Sequence, residues 1–497
     1  MAYSRPGVYL TETLLPAPLP GGASANAAGA VVAPLAGGPE AVTLVTSWYE
    51  FTNKFGGYNA TYPATFQIGS YFANGGKELY VKRVLHTDAV AAHVNLLTSA
   101  SAIVATVTSK NAGTDGNNLI VVLTAGTVAS TYTLTLYKEN VAGNILLERY
   151  ENIVFNDSTA TDFAETVVNT VSSYISISAS ASGTPVLTTY PLTSGSNGAT
   201  VTATDYTSYK GSGNSAFEGF SVVNRPLVIF IPEINEISGA TDVYNAAIDW
   251  AENNGGFVVA ETPKATTIAA DANTYAGELT ASSNVAVYHP HLYVVDPVGR
   301  SRQALRLIGP SGAVAGYYML NDVTPGKGVS KAPAGITASL IGLVAAELPF
   351  TSSDLDTFNT GVSPVNPIRQ IPGAGLSIMG ARTLLQDGTA NKYVNMRRSL
   401  IYIEQSLKNL TEFAIFENND AQLWSRINTV IGVFLNQYRN QGGLRGATAA
   451  DAYYILCDAT NNTAASIASG AVNIQVGVAL QYPAEFIVIN LSQITGA

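Results

Sequence analysis

Two of the four histidines are close neighbours, and they are the first residues whose spacing could support chemistry. In His289-Pro290-His291 the two imidazoles are predicted to lie on the same side of a strand, a spacing that is able to hold zinc. The closest acid in the sequence is Asp296, and no cysteine lies near the pair. The sequence therefore favours a structural pair of histidines over a metal site.

The other candidates for chemistry have simpler structural explanations. Asp354 and Asp356 could act as paired carboxylates, but their polar surroundings favour helix capping. The glycine clusters 309–312 and 442–446 lack the spacings of phosphate-binding and dinucleotide-binding loops, and we predict tight turns there. The sequence also lacks the Gly-x-Ser-x-Gly and His-Glu-x-x-His motifs of hydrolases. We therefore expect no enzymatic activity, no metal and no cofactor.

Composition narrows the class of protein further. Charged residues make up 12% of the 497 residues, about half the usual share, which favours a surface made for packing. The net charge of −10 argues against direct binding to nucleic acid. The single cysteine, Cys457, is predicted to be a buried thiol. We find neither a secretion signal nor an apolar stretch long enough to span a bilayer, so we expect no membrane insertion and folding in a cytoplasm.

The elements that must position these residues fall into three groups. Strands and helices alternate over 30–85 and again from residue 226, which predicts a largely parallel sheet covered on both faces. Between them, residues 94–213 are rich in Ser and Thr and read as short strands. One strong helix is predicted over Ile336–Glu347. The last part of the chain shows two amphipathic helices, the second capped by Asp420, and then strands.

Both ends of the chain read as strands without an obvious partner. Phe486–Leu491 is apolar on both faces. Glu485 is the only charged residue beside it that could discourage pairing at an exposed sheet edge. Near the start, Arg5–Glu12 gives a short strand signal followed by a Pro- and Gly-rich stretch. The two ends therefore predict strands that pair either within their own subunit or with a neighbouring one.

An ordered set of short motifs resembles the tail sheath proteins of contractile bacteriophages and of related injection machines, over nearly the whole chain. The motifs are Arg5–Tyr9, Lys110–Asn118, Gly309–Tyr317 with Asn321-Asp322, Lys331–Gly335, Gly380–Thr383, Asn395–Arg398, Tyr402–Glu404, Phe416–Asp420 with Leu423-Trp424, Asn461–Thr463 and Pro483–Phe486. Asp115 departs from the pattern, since many relatives carry an aromatic residue there.

The resemblance implies a fold made of several parts. The core is expected to be a subtilisin-like α/β fold without proteolytic residues, interrupted by an inserted β-sandwich domain and followed by a C-terminal α+β domain. The expected boundaries are 1–29 for the N-terminal arm, 30–93 and 214–375 for the core, 94–213 for the insertion, 376–482 for the C-terminal domain facing the tube, and 483–497 for a donated strand.

The resemblance also implies a function and partners. Copies of the chain are expected to form hexameric rings stacked into a helical sheath around a tail tube protein, between baseplate and tail terminator proteins. Contraction would drive the tube through the bacterial envelope. The expected location is a virion tail assembled in the bacterial cytoplasm. The alternative function is a surface or receptor-binding structural protein of a phage, in which the inserted region does the work.

The residues expected to carry this function fall into three sets. Strand exchange between subunits is assigned to Val8, Tyr9, Leu10, Phe486, Ile487, Val488, Ile489 and Leu491. The hinge of the N-terminal arm is assigned to Pro16, Pro18, Pro20, Gly21 and Gly22. A contact with an acidic tube surface is assigned to Lys392, Arg397 and Arg398, and the two arginines also have a simpler interpretation as the solvated face of a helix.

Overall fold

A computed structural model describes residues 26–139, 143–359 and 363–485. The strands are β1 (Ala28–Pro34), β2 (Thr43–Val45), β3 (Leu79–Val84), β4 (Ala91–Leu97), β5 (Ile103–Ala112), β6 (Leu119–Ala125), β7 (Tyr132–Lys138), β8 (Ile145–Ile153), β9 (Ile175–Ala179), β10 (Thr189–Pro191), β11 (Leu227–Phe230), β12 (Phe257–Glu261), β13 (Val285–His289), β14 (Leu292–Val295), β15 (Leu305–Ile308), β16 (Ala345–Ala346), β17 (Val365–Ile371), β18 (Gly375–Ile378), β19 (Tyr453–Leu456) and β20 (Gln475–Val478).

The α-helices alternate with these strands in the first and middle parts of the chain. They are α1 (Trp48–Phe55), α2 (Ala64–Ala73), α3 (Ala164–Val171), α4 (Ala203–Thr207), α5 (Ala240–Asn254), α6 (Ala269–Glu278), α7 (Ser311–Val323), α8 (Ser352–Asn359), α9 (Val394–Thr411), α10 (Ala421–Asn440), α11 (Ala449–Ala452) and α12 (Ala464–Ala468). Among the described residues, no helix combines the length and the apolar character needed to cross a bilayer.

The largest sheet has eight strands in the order β18-β17-β13-β12-β11-β1-β3-β2. Its central pairs are parallel, and only the outer pairs β17–β18 and β2–β3 are antiparallel. Alternate residues of β1 point to opposite faces, so Val31 joins one apolar cluster and Val32 the other. Helices α2 and α7 contribute to the first cluster, and α5 and α6 to the second. The predicted, largely parallel sheet with two covered faces is present.

Helix α7 packs so closely on α2 that two of its positions leave no room for a side chain. A Cβ atom on Gly312 would lie 2.3 Å from the carbonyl oxygen of Gln67, and one on Gly316 would lie 2.2 Å from that of Tyr71. The prediction of a tight turn over 309–312 is therefore wrong at its second half, because Ser311 begins this helix.

The inserted region contains two small sheets around one apolar cluster. One sheet has the order β10-β6-β7-β8 and the other β4-β5-β9, and residues of both bury their side chains in the same cluster. Three further strands form the small sheet β15-β14-β16. The mixed α/β class is thus confirmed, whereas the likeness to a subtilisin core and to a β-sandwich stays a prediction.

The predicted helix over Ile336–Glu347 is wrong. This segment consists of turns and the short strand β16, which pairs with β14. Gly342 has a φ of +75°, a left-handed conformation that ends any helix at that point. Several apolar residues that imitated a helical pattern instead lie exposed along this irregular segment, as Ile336, Ile341 and Val344 do.

Candidate assembly interface

The C-terminal part of the chain contains a sheet of only two strands. β19 and β20 pair antiparallel, from Tyr453 opposite Val478 to Leu456 opposite Gln475. Within the described ranges no third strand joins this sheet, and a single bridge between Leu444 and Leu480 lies beyond its end. A two-stranded sheet is marginally stable alone, and its outer edges present unpaired backbone groups. These edges can accept strands from elsewhere.

Helix α10 supports this small sheet. The Asp420 side chain accepts hydrogen bonds from the backbone N–H groups of Gln422 and Leu423, both at 2.9 Å, and so begins the helix as the sequence predicted. One face of α10 is buried in an apolar cluster that the small sheet also contacts. The buried residues of that face are Leu423, Trp424, Ile427, Ile431, Leu435 and Tyr438. Cys457 is buried in the same cluster, as predicted.

A buried ion pair joins the C-terminal part to the core. Arg398 on α9 binds Asp322 at the end of α7 through two hydrogen bonds, Nη1 to Oδ1 at 3.0 Å and Nη2 to Oδ2 at 2.5 Å. The side chains are only 4% and 9% exposed. Burial raises the pKa of Asp322, and the charge of Arg398 opposes this shift. The Arg398 guanidinium also lies over the ring of Tyr318, 4.7 Å from its centroid.

The three basic residues predicted to contact a tube therefore differ in their surroundings. Arg398 is buried and its charge is already compensated, so it does not belong to a solvated helix face. Arg397 is partly exposed, and its Nε donates to Asn284 Oδ1 at 3.0 Å. Lys392 is partly exposed, with its ammonium 5.0 Å from the ring centroid of Tyr393. The contact with a tube stays a prediction for all three.

An arginine fixes the last described residues of the chain. Arg382 binds Glu485 with two parallel hydrogen bonds, Nε to Oε1 at 2.7 Å and Nη2 to Oε2 at 2.8 Å. Tyr393 donates its hydroxyl to the same carboxylate at 3.3 Å. The residues assigned to C-terminal strand exchange, Phe486–Leu491, lie outside the described residues. Sequence reasoning identified the motifs around Arg382 and Glu485 separately, without a signal that they meet.

A second arginine fixes the first described residues. Arg225 donates to the carbonyl oxygen of Asn26 from Nε at 3.1 Å and from Nη2 at 2.9 Å. Its charge is balanced by Glu78, 2.8 Å away. Val8, Tyr9, Leu10, Pro16, Pro18, Pro20, Gly21 and Gly22, the residues assigned to the N-terminal strand and hinge, lie outside the described residues. Arg225 was not predicted, because nothing local in the sequence connects it with residue 26.

A third arginine ties the inserted region to the core. Arg83 is fully buried and donates to the carbonyl oxygens of Leu35, Gly38 and Ala112 at 2.8 to 3.1 Å. It also donates to Asn197 Oδ1 at 2.9 Å. Because these partners are neutral, burial dominates and lowers the pKa of Arg83. Ala112 and Asn197 lie at opposite ends of the inserted region, so one side chain holds both of them to the core.

The histidines and the aspartate considered for chemistry lie in different surroundings from those predicted for a reactive site. β13 ends at His289 and β14 begins at Leu292, so the two histidines do not lie on one strand as predicted. Both are buried, and burial lowers the pKa of His289 to about 4 and of His291 to about 3. Asp354 accepts hydrogen bonds from Thr351 at 2.7 and 2.8 Å, in agreement with a cap. Among the described residues, no group of three or more His, Cys, Asp or Glu could hold a metal ion.

A buried carboxyl lies beside the start of α7. Glu261 accepts from the backbone N–H of Ser311 at 3.2 Å and from Gln67 Nε2 at 3.1 Å. Burial raises its pKa to about 7. The Ser311 hydroxyl donates to Gln67 Oε1 at 2.8 Å. These contacts join α2, β12 and α7 into one polar cluster inside the core.

The part of the chain that contains the two-stranded sheet is also the part that matches a known protein family model. Residues 386–494 match the family model of the phage tail sheath C-terminal domain. This C-terminal segment is therefore similar to that domain of the tail sheath proteins. A tail sheath protein of Vibrio phage KVP40 is 26% identical over 98 residues, which are 20% of this chain and 14% of that protein. The matched segment thus spans about one seventh of the curated relative.

Solved structures share the fold over most of the chain. The helical sheath of the anti-feeding prophage in its contracted state has a TM-score of 0.59 and 21% identity, covering 99% of this chain and 100% of that one. The contracted PVC sheath complex of an extracellular contractile injection system gives 0.58 and 21%, covering 99% and 98%. Sheath tail protein Lin1278 of Listeria innocua gives 0.61 and 14%, covering 88% and 90%. All three of these solved chains are sheath proteins, and what this chain shares with them is the fold.

Proposed function

We propose that this chain is the structural subunit of a contractile tail sheath, and that it polymerises around an inner tube by exchanging β-strands. The observation that carries the proposal is the two-stranded sheet β19–β20, whose outer edges have no further strand among the described residues. Strands from neighbouring copies would complete it by β-strand addition. The family match at residues 386–494 includes this sheet and supports its role.

The two fixed ends of the described chain support this mechanism. Arg225 holds the backbone at Asn26, and Arg382 holds Glu485, so each arm would begin at a defined point on a rigid body. The donated residues would be Val8 to Leu10 at one end and Phe486 to Leu491 at the other. Each added backbone hydrogen bond would contribute about 0.5–1.5 kcal/mol net. Repetition along a sheath would multiply this contribution.

Contraction requires bodies that move while the arms keep them connected. The buried Arg398–Asp322 pair joins the C-terminal part to the core, and Arg83 joins the inserted region to it. Joints of this kind favour movement of each subunit as one rigid body. The expected domains are the core over 30–93 and 214–375, the insertion over 94–213, and the C-terminal domain over 376–482. Contraction would start from a kinetically trapped extended state and would drive the tube through the bacterial envelope.

The proposed partners follow from this arrangement. They are further copies of the chain in hexameric rings, a tube protein, and baseplate and terminator proteins, all within a tail assembled in the bacterial cytoplasm. One structure of similar fold is a 6-fold symmetrised baseplate of the anti-feeding prophage, which supports the ring symmetry. For the tube contact, Lys392 and Arg397 are the better candidates, because they are partly exposed whereas Arg398 is buried.

The proposal is tested by shortening each arm of the full chain. Deletion of residues 1–20, or of 487–497, should give a folded protein that no longer forms tubes, because the edges of β19–β20 would lack added strands. Electron microscopy would follow tube formation, and the thermal unfolding midpoint would show that the body is intact.

Regular tubes from either shortened chain would contradict strand exchange at that end. If the full-length chain gives monomers or closed trimers instead of tubes or rings, the surface or receptor-binding function gains support.

A further inference from the structure

We propose that Arg382 and Glu485 form a latch that fixes the point at which the C-terminal arm leaves the body, and thereby sets the length of the tether between copies. This inference rests on the proposed strand exchange. It assigns a positioning role to Arg382 and Glu485, which lie in two of the motifs that carried the family resemblance, Gly380–Thr383 and Pro483–Phe486.

The geometry of the pair is that of a specific contact. Both Glu485 oxygens are engaged by the planar fork of Arg382, at 2.7 and 2.8 Å, an arrangement stronger and more directional than a single ion pair. The side chains are 14% and 26% exposed, so solvent screens the pair only in part. The remaining guanidinium nitrogen, Nη1, donates to the carbonyl oxygen of Asn359 at 2.9 Å. Arg382 is therefore held in the orientation that Glu485 requires.

The backbone of Arg382 is in turn fixed to the eight-stranded sheet. Its N–H donates to Asn366 Oδ1 at 2.7 Å, and its carbonyl accepts from Asn366 Nδ2 at 2.8 Å. Asn366 is a buried residue of β17, and its Nδ2 also donates to the carbonyl oxygen of Val287 in β13. A chain of hydrogen bonds thus runs from the sheet through Asn366 and Arg382 to Glu485.

Opening the latch would lengthen the arm. The next fixed position towards the body is Gln481, whose Nε2 donates to the carbonyl oxygen of Leu444 at 3.0 Å. Its own carbonyl accepts from Asn395 Nδ2 at 3.3 Å. Residues 482–485 would then join the tether, which adds up to about 14 Å at about 3.5 Å per extended residue. A longer tether lowers the effective concentration of the donated strand at its target.

The test compares assembly of the full-length chain with three variants at this site. Arg382→Ala removes the fork, Glu485→Gln keeps the shape of the acid but removes its charge, and Arg382→Lys keeps the charge but loses the second hydrogen bond. We expect Arg382→Ala and Glu485→Gln to raise the lowest protein concentration that gives tubes by roughly threefold to tenfold, with Arg382→Lys between them and the wild type. Light scattering with electron microscopy measures this concentration.

The matched control is Arg149→Ala in the inserted region. Arg149 forms an ion pair with Glu151 at 2.9 Å, but both side chains are more than half exposed. Such pairs contribute little, so assembly should match the wild type. Thermal unfolding midpoints of all variants identify any that lose the fold. If Arg382→Ala is unfolded, Glu485→Gln decides the test alone, because the amide replaces the carboxylate without a change of volume.

The latch is overturned if Arg382→Ala and Glu485→Gln are folded and polymerise at the wild-type concentration, or if the Arg149→Ala control is impaired to the same extent. This failure differs from failure of the proposed function, in which the chain lacking residues 487–497 would itself form tubes. If the latch variants assemble normally but the chain lacking residues 487–497 does not, strand exchange stands and only the positioning role of the latch is removed.

Discussion

The eight-stranded sheet and the two-stranded sheet β19–β20 differ in how far their strands are buried. In the large sheet, every residue of β11, β12 and β13 is buried, and helices and loops cover both faces. In the small sheet no residue of β19 or β20 is fully buried. The first sheet satisfies its own backbone and can hold a stable body. The second leaves edges open, which in a protein that assembles provides places for the strands of other copies.

The largest expected loss of stability comes from breaking the buried ion pair that joins the core, with its eight-stranded sheet, to α9. Asp322→Ala would leave the Arg398 guanidinium, which is 4% exposed, without a counter-charge. We expect the free energy of unfolding to fall by about 3–5 kcal/mol, as for other buried pairs that lose one partner. Chemical denaturation measures this loss.

The double variant Asp322→Ala with Arg398→Met is the control for that measurement. It removes both charges, so it should recover much of the lost stability. A single Asp322→Ala variant within about 1 kcal/mol of the wild type would show that the pair is not needed to join α7 and α9.

A smaller loss of stability is expected from a change of pH, and it arises from groups buried in the core. His289 and His291 are neutral in the folded chain, with pKa values of about 4 and about 3 against an ordinary value of 6.5. The two buried, neutral histidines leave the free energy of unfolding undiminished above pH 6.5. They lower it as the pH falls towards 4, because the unfolded chain then binds protons that the folded chain does not. Glu261 acts in the opposite direction: its pKa of about 7 against 4.5 lowers stability as the pH rises from 4.5 to 7.

The sum of these shifts predicts greatest stability near pH 6.5. Between pH 4.5 and 6.5 two histidines oppose one carboxyl, which leaves a net loss of about 1.4 kcal/mol per unit of falling pH. Glu261→Gln should steepen this acid loss and remove the decline between pH 6.5 and 7. The measurement is the thermal unfolding midpoint against pH, and parallel curves for Glu261→Gln and the wild type would contradict the assignment.

The smallest effect on stability is expected from a substitution in the two-stranded sheet β19–β20. Tyr454 on β19 covers Gly477 on β20, where an added Cβ would lie 2.0 Å from the Tyr454 ring, and its hydroxyl accepts from Gln475 Nε2 at 3.1 Å. Tyr454→Ala should lower the free energy of unfolding by at most about 1 kcal/mol, the size of one cross-strand pair. Under the proposed strand exchange, tube formation should weaken far more, because the sheet proposed to accept strands is disturbed.

Tyr49→Ala is a suitable control for Tyr454→Ala, since Tyr49 is 76% exposed and lies on α1, far along the chain from the small sheet. If both variants assemble like the wild type, β19–β20 is not the surface on which copies join. A large loss of stability in Tyr454→Ala would show instead that the small sheet is part of the covered body.

Local signals in the sequence predicted much of the fold. Asp420 begins α10 as predicted, because a capping side chain acts on residues two or three positions away. The alternation of strands and helices predicted over 30–85 is present from β1 to β3. Helix α7 was missed, since its small and apolar residues are buried on nearly all sides and give no one-sided pattern.

The candidate site was less predictable, because its important contacts join distant parts of the chain. Arg225 and residue 26 are separated by 199 positions, and Arg382 and Glu485 by 103. No periodicity or spacing connects residues so far apart. The strand-exchange residues, the domain boundaries and the tube contact stay predictions, the first of these because they lie outside the described residues.

The place of β1 in the large sheet has a mechanical consequence. This strand begins two residues after Asn26 and lies between β11 and β3, parallel to both. A pull on the preceding residues directed along the strand would load the hydrogen bonds on its two sides together, in shear, instead of opening them one by one from a rim. Under the proposed strand exchange, tension passed between copies would thus enter the subunit through the interior of its largest sheet.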